Sequence, residues 1–457
     1  MNFLERLRKD EILRQKNETR LSSSPHLPNP SKDPQQDHIT GTAPENHQES
    51  LSEAIARRRR RQQDTTMKPA VMLPVWGKSA DFLGGLTKSN EFGSYVYRRE
   101  RNNQCFHNFN GYTAKMFSNI TGLVSLLHGC HANSETDHVV FLDTETTGLS
   151  GGTGTYAFLV GIGSWDGSAF IVEQFFMHDF HEERAMLHAL EERLKSVQVL
   201  ITYNGKSFDI PLLKSRFTMA RKDWPLTSTL HLDLLYPARR IWRLRFGDCS
   251  LGNLEKRILG DERTGDIEGS LIPQIYFDYT RSGSPVGIRK ILEHNFLDIV
   301  TLAKLSWKVG EILHEKQKDR LSPEELFSVG NYFSRMGQLE AALDWNQEAL
   351  RFPLQVDLRL KAMKSLAASY KSLKLYSHAV ELWNTMIGES AGFDEDIYES
   401  LSVYYEHHEK DLGKALHLTD TALCNVRKQT SSVRWKRRRE RLLRKIGKRP
   451  ALFHSAL

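Results

Sequence analysis

The chain has 457 residues, which is too long for a single ordinary core, so two or three domains are expected. No apolar run approaches the roughly 20 residues that cross a bilayer, and the four cysteines show no paired spacing. We therefore expect a cytoplasmic protein with free thiols and no membrane partner. The net charge of +7 is concentrated near the end: Arg434 to Arg449 contain ten basic residues and one acid, so the rest of the chain sums to −2.

The first part of the chain is predicted to be poor in structure. Residues 1–68 are rich in Pro, Ser, Gln and Asn and have little to bury, which predicts a disordered, charged N-terminal region. Residues 69–137 are predicted to be a lead-in segment with short strands. In this segment FGSYVYRRER alternates in polarity, and NGYTAKMF is a second candidate strand that would pair with it.

Residues 138–315 carry the clearest pattern of strands and helices. HVVFLD, TYAFLVGIGSW and SAFIVEQFFM predict three consecutive strands, with the hairpin signal Asp166-Gly167 between the last two. Helix HEERAMLHALEERLKS, strand VQVLITYN, helix FDIPLLKSRFTMA and a short strand around TLHLDLL follow. Later helices are predicted at SLGNLEKRIL and VGIRKILEHNFLDIVTLAKLSWKVGEIL. This order predicts a mixed α/β sheet of ribonuclease-H-like type with flanking helices.

Residues 320–430 are predicted to be helical and repetitive. An Ala followed by an aliphatic residue recurs as Ala342-Leu343, Ala379-Val380 and Ala415-Leu416, at offsets of 37 and 36 residues. A period in the mid-thirties built from helix pairs resembles TPR repeats, whose concave surfaces often bind peptides, so a protein partner is one hypothesis. The last residues, 431–457, are predicted to be a basic tail. Such a run suits a polyanion such as nucleic acid, or it is a solvated, solubilising segment.

The stretch FLDTETTGLSGGTGTYAFLVG, starting at Phe141, combines glycines with two strand carboxylates. The glycines do not form a nucleotide loop, because the P-loop lysine is missing and they lead into a strand instead of a helix. Asp143 and Glu145 are two residues apart on a strand, so they project from the same face. Two carboxylates that close repel each other unless a proton or a divalent cation lies between them.

Two later segments complete a pattern of three: Tyr203–Asp209, which is YNGKSFD, and His294–Asp298, which is HNFLD. In this order the segments resemble the DEDD superfamily of 3′–5′ exonucleases. Its motifs are DxExTG, Asn-x3-Phe-Asp, and an acid preceded by Tyr or His about one helical turn earlier. The resemblance covers residues 138 to 310 and looks closest to a bacterial branch of YprB-like, ribonuclease-H-like proteins that can carry TPR repeats.

The resemblance implies a two-metal nuclease acting on DNA or RNA. Asp143, Glu145, Asp209 and Asp298 would be catalytic carboxylates that hold two Mg²⁺ or Mn²⁺ ions for hydrolysis of a phosphodiester bond. An all-oxygen ligand set of this kind suits Mg²⁺ or Mn²⁺ better than zinc.

The general base and the substrate contacts are also implied by the resemblance. His294 would be the base; it stands four residues before Asp298, which is the spacing of the tyrosine subclass, and positions i and i+4 share one helix face. The residues predicted to bind substrate are Thr146, Thr147, Asn204 and Lys206.

Two questions stay open at this point. Either the arginines of RRIWRLR contact phosphates while Trp242 stacks on a base, or the segment is an amphipathic, solvated helix face. Either the protein is a nuclease, or it is a non-catalytic adaptor whose ribonuclease-H-like fold binds nucleic acid and whose TPR array binds a protein. The presence of all four carboxylates favours the nuclease.

Overall fold

A mixed sheet organises the first half of the folded chain. The computed structural model describes residues 80–102, 113–128, 138–148, 154–167, 169–314, 317–389 and 392–447. The described residues from Leu83 onward form one unit. The disordered region predicted for residues 1–68 lies outside the described residues.

Within these ranges the sheet has seven strands in the order β1-β2-β5-β4-β3-β6-β7. Their bounds are β1 (Leu86–Asn90), β2 (Gly93–Asn102), β3 (Val139–Thr146), β4 (Ala157–Asp166), β5 (Ala169–Phe176), β6 (Val199–Thr202) and β7 (Leu230–Asp233). Neighbours are antiparallel from β1 across to β3, while β3 pairs with β6 and β6 with β7 in parallel. The predicted mixed sheet is confirmed, and the predicted hairpin joins β4 to β5 with Gly167 at φ +59°.

The helices of this half are α1 (Thr113–His128), α2 (Glu183–Leu194), α3 (Asp209–Met219), α4 (Leu235–Phe246), α5 (Leu251–Leu254), α6 (Ile272–Ser282) and α7 (Val286–Leu313). A π-helical turn over Glu255–Leu259 continues α5. The long helix α7 packs against β3, β4 and β5, and α1 packs against α7. Glycines in β4 permit the close approach of α7, since a Cβ on Gly163 would lie 2.5 Å from Ile299 Cγ2.

One predicted strand is wrong. The part of NGYTAKMF from Thr113 onward belongs to α1 and does not pair with β2. The reason lies further along the helix, where Ile120, Leu123 and Val124 recur at helical spacing and are fully buried. The strand predicted at FGSYVYRRER is confirmed: it forms β2, which pairs with β5 and extends the sheet.

The second half is entirely helical where the structure describes it. Its helices are α8 (Pro323–Arg335), α9 (Leu339–Leu350), α10 (Val356–Ser372), α11 (Tyr376–Glu389), α12 (Glu395–His407), α13 (Leu412–Asn425) and α14 (Gln429–Gly447). Each packs against the next, and α8 also packs against α4. The repeated residues Ala342, Ala379 and Ala415 are fully buried, each as the fourth residue of α9, α11 or α13. No described helix has the length and hydropathy needed to cross a bilayer.

In the basic segment near the end of the chain, the structure describes one helix, α14. Helix α14 buries Trp435 and Leu442, and it contacts α13. Four of its basic side chains also reach carboxylates of α12. The ion pairs are Arg434–Glu395, Arg438–Glu399, Arg441–Glu406 and Lys445–Glu406.

We expect Glu406→Gln to lower the free energy of unfolding by about 1–3 kcal/mol at neutral pH, because two cations lose a buried counter-charge. Burial opposes ionisation of Glu406, but hydrogen bonds from Arg441 and Lys445 outweigh burial and lower its pKa to about 2. A carboxyl with a lowered folded pKa stabilises the fold above its unfolded pKa and loses that contribution as the pH falls. In urea denaturation, the difference from wild type should therefore shrink between about pH 4.5 and pH 2. A difference independent of pH would contradict this ion-pair assignment.

Candidate active site

The four carboxylates predicted from the sequence come from three elements that converge beside the central strand. Asp143 and Glu145 lie on β3, which pairs with β4 on one side and β6 on the other. Asp209 is the first residue of α3, and Asp298 lies within α7. The structure therefore brings together four carboxylates that are separated by as many as 155 positions in the sequence.

The electrostatics of these groups shows how close they are to one another. Burial, followed by the charges of Asp298 and Asp209, raises the pKa of Asp143 well above its ordinary value. Burial, followed by the charge of Asp143, does the same for Glu145. Burial raises the pKa of Asp209 to about 6, although the Thr144 hydroxyl donates a hydrogen bond of 2.5 Å to its Oδ1. The ionisation of Asp143 and of Glu145 is therefore opposed by the charges of the neighbouring carboxylates.

Asn295, a buried residue of α7, holds the Asp143 carboxylate in place. Its Nδ2 donates to Asp143 Oδ2 at 2.9 Å, and its Oδ1 accepts from Gln174 Nε2 at 2.9 Å. Gln174 also donates to the Leu292 carbonyl at 2.7 Å, which ties the amide pair to the helix backbone. Gly161, opposite Asp143 in the β3–β4 ladder, leaves the room for this amide, since a Cβ there would lie 2.2 Å from Asn295 Oδ1.

His294 lies at the edge of the carboxylate cluster, with 15% of its side chain exposed. Its Nε2 is 3.6 Å from Asp298 Oδ2 and 4.0 Å from Glu145 Oε1. Its Nδ1 is 2.8 Å from Oδ1 of Asp266, a residue outside the three sequence motifs. The imidazole therefore directs one nitrogen toward the cluster and the other away from it.

Arg263 is a second residue that the sequence did not single out. Its Nη2 donates to Asp298 Oδ1 at 2.6 Å, its Nη1 donates to Asp266 Oδ2 at 3.0 Å, and its Nε lies 2.7 Å from Glu255 Oε2. Glu255 begins the π-helical turn, and Gly260, with φ +76°, follows its last residue, Leu259. Irregular helical turns of this kind occur frequently at functional sites.

A cleft of about 400 Å³ opens beside the third motif. Lys256, Glu262 and Arg263 contribute to its walls, and His294 and Asp298 line it as well. The side of the site that α7 forms is therefore accessible from solvent.

The two threonines predicted to bind substrate shape the turn after β3. Thr146 is buried, and its hydroxyl donates to the Gly148 carbonyl at 2.8 Å. The Thr147 hydroxyl accepts from the Tyr156 N–H at 2.9 Å. Both hydroxyls thus have backbone partners, Gly148 for Thr146 and Tyr156 for Thr147, and the two residues directly follow Glu145 in the chain.

Asn204 and Lys206, the other predicted substrate contacts, have exposed side chains in the turn before α3. Asn204 adopts φ +62°, a left-handed conformation that asparagine tolerates better than most residues. Asp233 is buried and accepts from the N–H groups of Asn204 at 2.8 Å and Lys206 at 3.0 Å. Asp233 therefore holds this turn in shape.

The base-stacking role considered for Trp242 is wrong, because Trp242 is fully buried in α4. Arg239, Arg240 and Arg243 are exposed on the same helix, and Arg245 is ion-paired to α8. The segment is an amphipathic helix whose aromatic residue belongs to the core.

The residues present suit a divalent cation by their chemistry. In the ranges that the structure describes, no three His, Cys, Asp or Glu side chains are already spaced as a metal-ligand set. Asp298 Oδ1 is engaged by a guanidinium and Asp209 Oδ1 by a hydroxyl. The oxygen-only donor set is nevertheless the one that Mg²⁺ and Mn²⁺ prefer. A cation would also relieve the repulsion that raises the pKa of Asp143 and Glu145, so these four carboxylates could hold it.

Comparison with known proteins agrees with this geometry. Residues 140–309 match the family model of the RNase_H superfamily. Over 305 residues the chain is 30% identical to a Bacillus subtilis (strain 168) protein named "Uncharacterized protein YprB". The aligned region covers 65% of this chain and 73% of that protein. The chain belongs to the same family as YprB, and its residues 140–309 form a domain of the RNase_H superfamily. This superfamily domain contains the four carboxylates and His294.

One solved structure shares a more limited likeness. The family B DNA polymerase from the hyperthermophilic archaeon Pyrobaculum calidifontis is 13% identical, with a TM-score of 0.33. The match covers 46% of this chain and 28% of the polymerase chain. The family assignment therefore depends on the superfamily match and on YprB.

We expect Gly161→Ala to lower the free energy of unfolding by about 1–3 kcal/mol, because the new methyl group would overlap the Asn295 amide. The measurement is urea denaturation. Gly388→Ala is the matched control, since a Cβ at that position in α11 meets nothing within 4 Å and alanine favours the helix. Equal stability of Gly161→Ala and wild type would contradict the close packing of Asn295 on β4.

Proposed function

We propose that this protein is a metal-dependent 3′–5′ exonuclease that hydrolyses phosphodiester bonds of DNA or RNA. The observation that carries the proposal is the convergence of four carboxylates and one imidazole beside the central strand of an RNase H-superfamily domain. Membership of this superfamily supports a nucleic-acid substrate and nuclease chemistry. The direction of attack, from a 3′ end, rests on the likeness of the three motifs to the DEDD exonucleases.

Two Mg²⁺ or Mn²⁺ ions would be held by the four carboxylates of the cluster: Asp143, Glu145, Asp209 and Asp298. When bound, such ions lower the pKa of water and neutralise the charge that develops on the phosphate and the leaving 3′ oxygen. Asp143 is kept in a fixed orientation by the Asn295 amide, so the carboxylate needs little reorganisation before it binds.

His294 is the group placed to accept a proton. Its Nε2 faces the space between Glu145 and Asp298, where a water attacking the phosphorus would lose its proton. The attack breaks the bond between phosphorus and the 3′ oxygen and releases a nucleoside 5′-monophosphate. Lys206 has an exposed ammonium group in the turn before α3, and this group is available to contact a phosphate.

One observation favours the alternative of a non-catalytic, nucleic-acid-binding adaptor. Arg263 already supplies a positive charge to Asp298, which is part of what a metal ion would supply. In an adaptor, this ion pair would neutralise the site permanently, and the helices of residues 320–430, as TPR-like repeats, would bind a protein. The two functions differ in whether the carboxylates bind a divalent cation.

We expect the wild-type protein to shorten end-labelled single- or double-stranded DNA or RNA in the presence of Mg²⁺ or Mn²⁺ and to be inactive in EDTA. Asp143→Asn and Asp209→Asn should each lower the rate by about 10²-fold or more, because each removes a charged metal ligand. Asp166→Asn is the matched control: this carboxylate at the end of β4 is 60% exposed and paired only to Arg99 in the described structure, so the rate should not change. Wild-type inactivity with both metals, or full activity in both cluster variants, would contradict the exonuclease proposal.

Calorimetric titration with Mn²⁺ separates the nuclease from the adaptor. Saturating metal should also raise the free energy of unfolding of the wild type, by about 2.7 kcal/mol at a hundredfold excess over Kd. Asp143→Asn should lose most of this binding. No heat of binding in the wild type would support the adaptor.

In the part of the basic segment that the structure describes, the outward face of α14 carries cations that are available to nucleic acid. Lys436, Arg437 and Arg444 are exposed, and no carboxylate of the described residues lies within ion-pair distance of them. Their neighbours on the other face are paired to α12, so those charges are largely neutralised. We propose that the outward cations contact the phosphate backbone.

Replacing Lys436, Arg437 and Arg444 with Gln should reduce the slope of log K against log salt by about 2 units, since each phosphate contact contributes roughly 0.7–0.9. The measurement is fluorescence anisotropy with labelled single-stranded oligonucleotide at several salt concentrations. An unchanged slope would remove α14 from the binding surface. The control variant neutralises three exposed lysines in and after α10: Lys361, Lys371 and Lys374.

A further inference from the structure

The loop after the π-helical turn brings a carboxylate against the back of His294. From Gly260 onward the chain leaves helical geometry and returns to the site at Asp266. His294 Nδ1 lies 2.8 Å from Asp266 Oδ1 and 3.0 Å from Asp266 Oδ2. No comparable partner faces Nε2, whose nearest carboxylate oxygen among the described residues is 3.6 Å away.

The chemistry of imidazole makes this asymmetry important. A neutral imidazole has one N–H donor and one acceptor nitrogen, and the partner of one nitrogen decides which nitrogen carries the proton. An ionised carboxylate only accepts, so Asp266 requires the proton to be on Nδ1. Nε2 then presents its lone pair toward Glu145 and Asp298, which is the state that a general base needs.

Asp266 is itself held firmly. Arg263 donates to its Oδ2, and the N–H of Ile267 donates to its Oδ1 at 2.8 Å. Arg263 has only 12% of its side chain exposed, and the buried Glu255 lies behind it. Burial would raise the pKa of Asp266, but His294 and Arg263 outweigh burial and lower it, which keeps the carboxylate ionised.

The Arg263 guanidinium connects His294 and Asp298, the two residues of α7 with proposed roles in the reaction. Arg263 contacts Asp266, which holds His294, and it also contacts Asp298. Because both oxygens of Asp266 already have donors, this carboxylate is not free to serve as a metal ligand. Its position fits a supporting role behind the imidazole.

We propose that Asp266 is a positioning residue: it fixes the Nδ1–H tautomer and the ring orientation of His294, while Arg263 keeps Asp266 and Asp298 at a fixed separation. The proposal rests on the proposed nuclease function, in which Nε2 accepts a proton from the attacking water. A purely structural ion pair that anchors the loop is the competing explanation. The two differ in their effect on the imidazole.

The first test is a nitrogen-15 NMR spectrum of the full-length protein, labelled at histidine and free of metal, at about pH 9, where ordinary imidazole is neutral. The His294 signals are identified by their absence in His294→Gln. We expect the wild type to show the Nδ1–H tautomer, and Asp266→Ala to show a shift toward Nε2–H. An Nε2–H tautomer in the wild type, or no shift in Asp266→Ala, would overturn the proposal.

The second test is kinetic. Asp266→Ala should lower kcat by about 10–100-fold while KM changes little, because the loss affects proton transfer and not substrate binding. Asp261→Ala is the matched control; this carboxylate lies on the same loop but is paired to Lys304 at 2.7 Å, so kcat should stay near the wild-type value. Equal losses in the two variants would assign the effect to loop packing and overturn the proposal.

A second variant and the activity of the wild type distinguish a failure of this proposal from a failure of the proposed function. If Asp266→Ala does not fold, Asp266→Asn preserves the volume, and a kcat equal to wild type in that variant would overturn the proposal. A wild-type protein without nuclease activity would overturn the proposed function. An unchanged tautomer in an active enzyme would overturn only the role of Asp266.

Discussion

Repulsion among buried carboxylates is the constraint on which this site depends. Glu145 and Asp209 are buried and Asp143 is half-buried, and burial raises the pKa of all three. Charges of the other cluster carboxylates raise the pKa of Asp143 and Glu145 further, and the charge of Asp233 does so for Asp209. Without compensation such a cluster destabilises the fold, because each charge loses hydration and gains a like neighbour. The chain supplies some compensation from Thr144, Asn295 and Arg263. The remaining repulsion is the feature that a divalent cation would relieve, and it gives the cluster its proposed function.

Helix α7 is the element that turns the cluster into a defined geometry. It contributes His294, Asn295 and Asp298 within five residues, and it approaches the sheet closely at Gly161 and Gly163 of β4. Asn295 points into the sheet and orients a strand carboxylate, while His294 and Asp298 face the cleft. The loop with Arg263 and Asp266 supports that side of the helix. Packing of α8 on α4 then attaches the helical half of the chain to the same domain.

The sequence predicted the parts of this structure that have a local signal. Apolar strand runs, the Asp-Gly turn and the helical period over residues 286–313 predicted the sheet, the β4–β5 hairpin and α7 correctly. Strand alternation placed Asp143 and Glu145 on one face, while Asp209 and Asp298 were pointed to by the resemblance of the three motifs to the DEDD exonucleases. Arg263 and Asp266 lie in a loop without periodicity, and only the folded chain shows that they reach His294 and Asp298. The role of Trp242 stayed open for a related reason, since its burial depends on packing between distant helices and not on its basic neighbours.

Anomalous diffraction from crystals grown with Mn²⁺ is the most direct measurement of whether these carboxylates form a metal site. We expect manganese at direct coordination distance from oxygens of Asp143 and of at least one of Glu145, Asp209 and Asp298. Asp298 should then share its charge between the metal and Arg263, or release Arg263. Crystals that contain manganese elsewhere but none at the cluster, with Arg263 still paired to Asp298, would contradict a catalytic metal site.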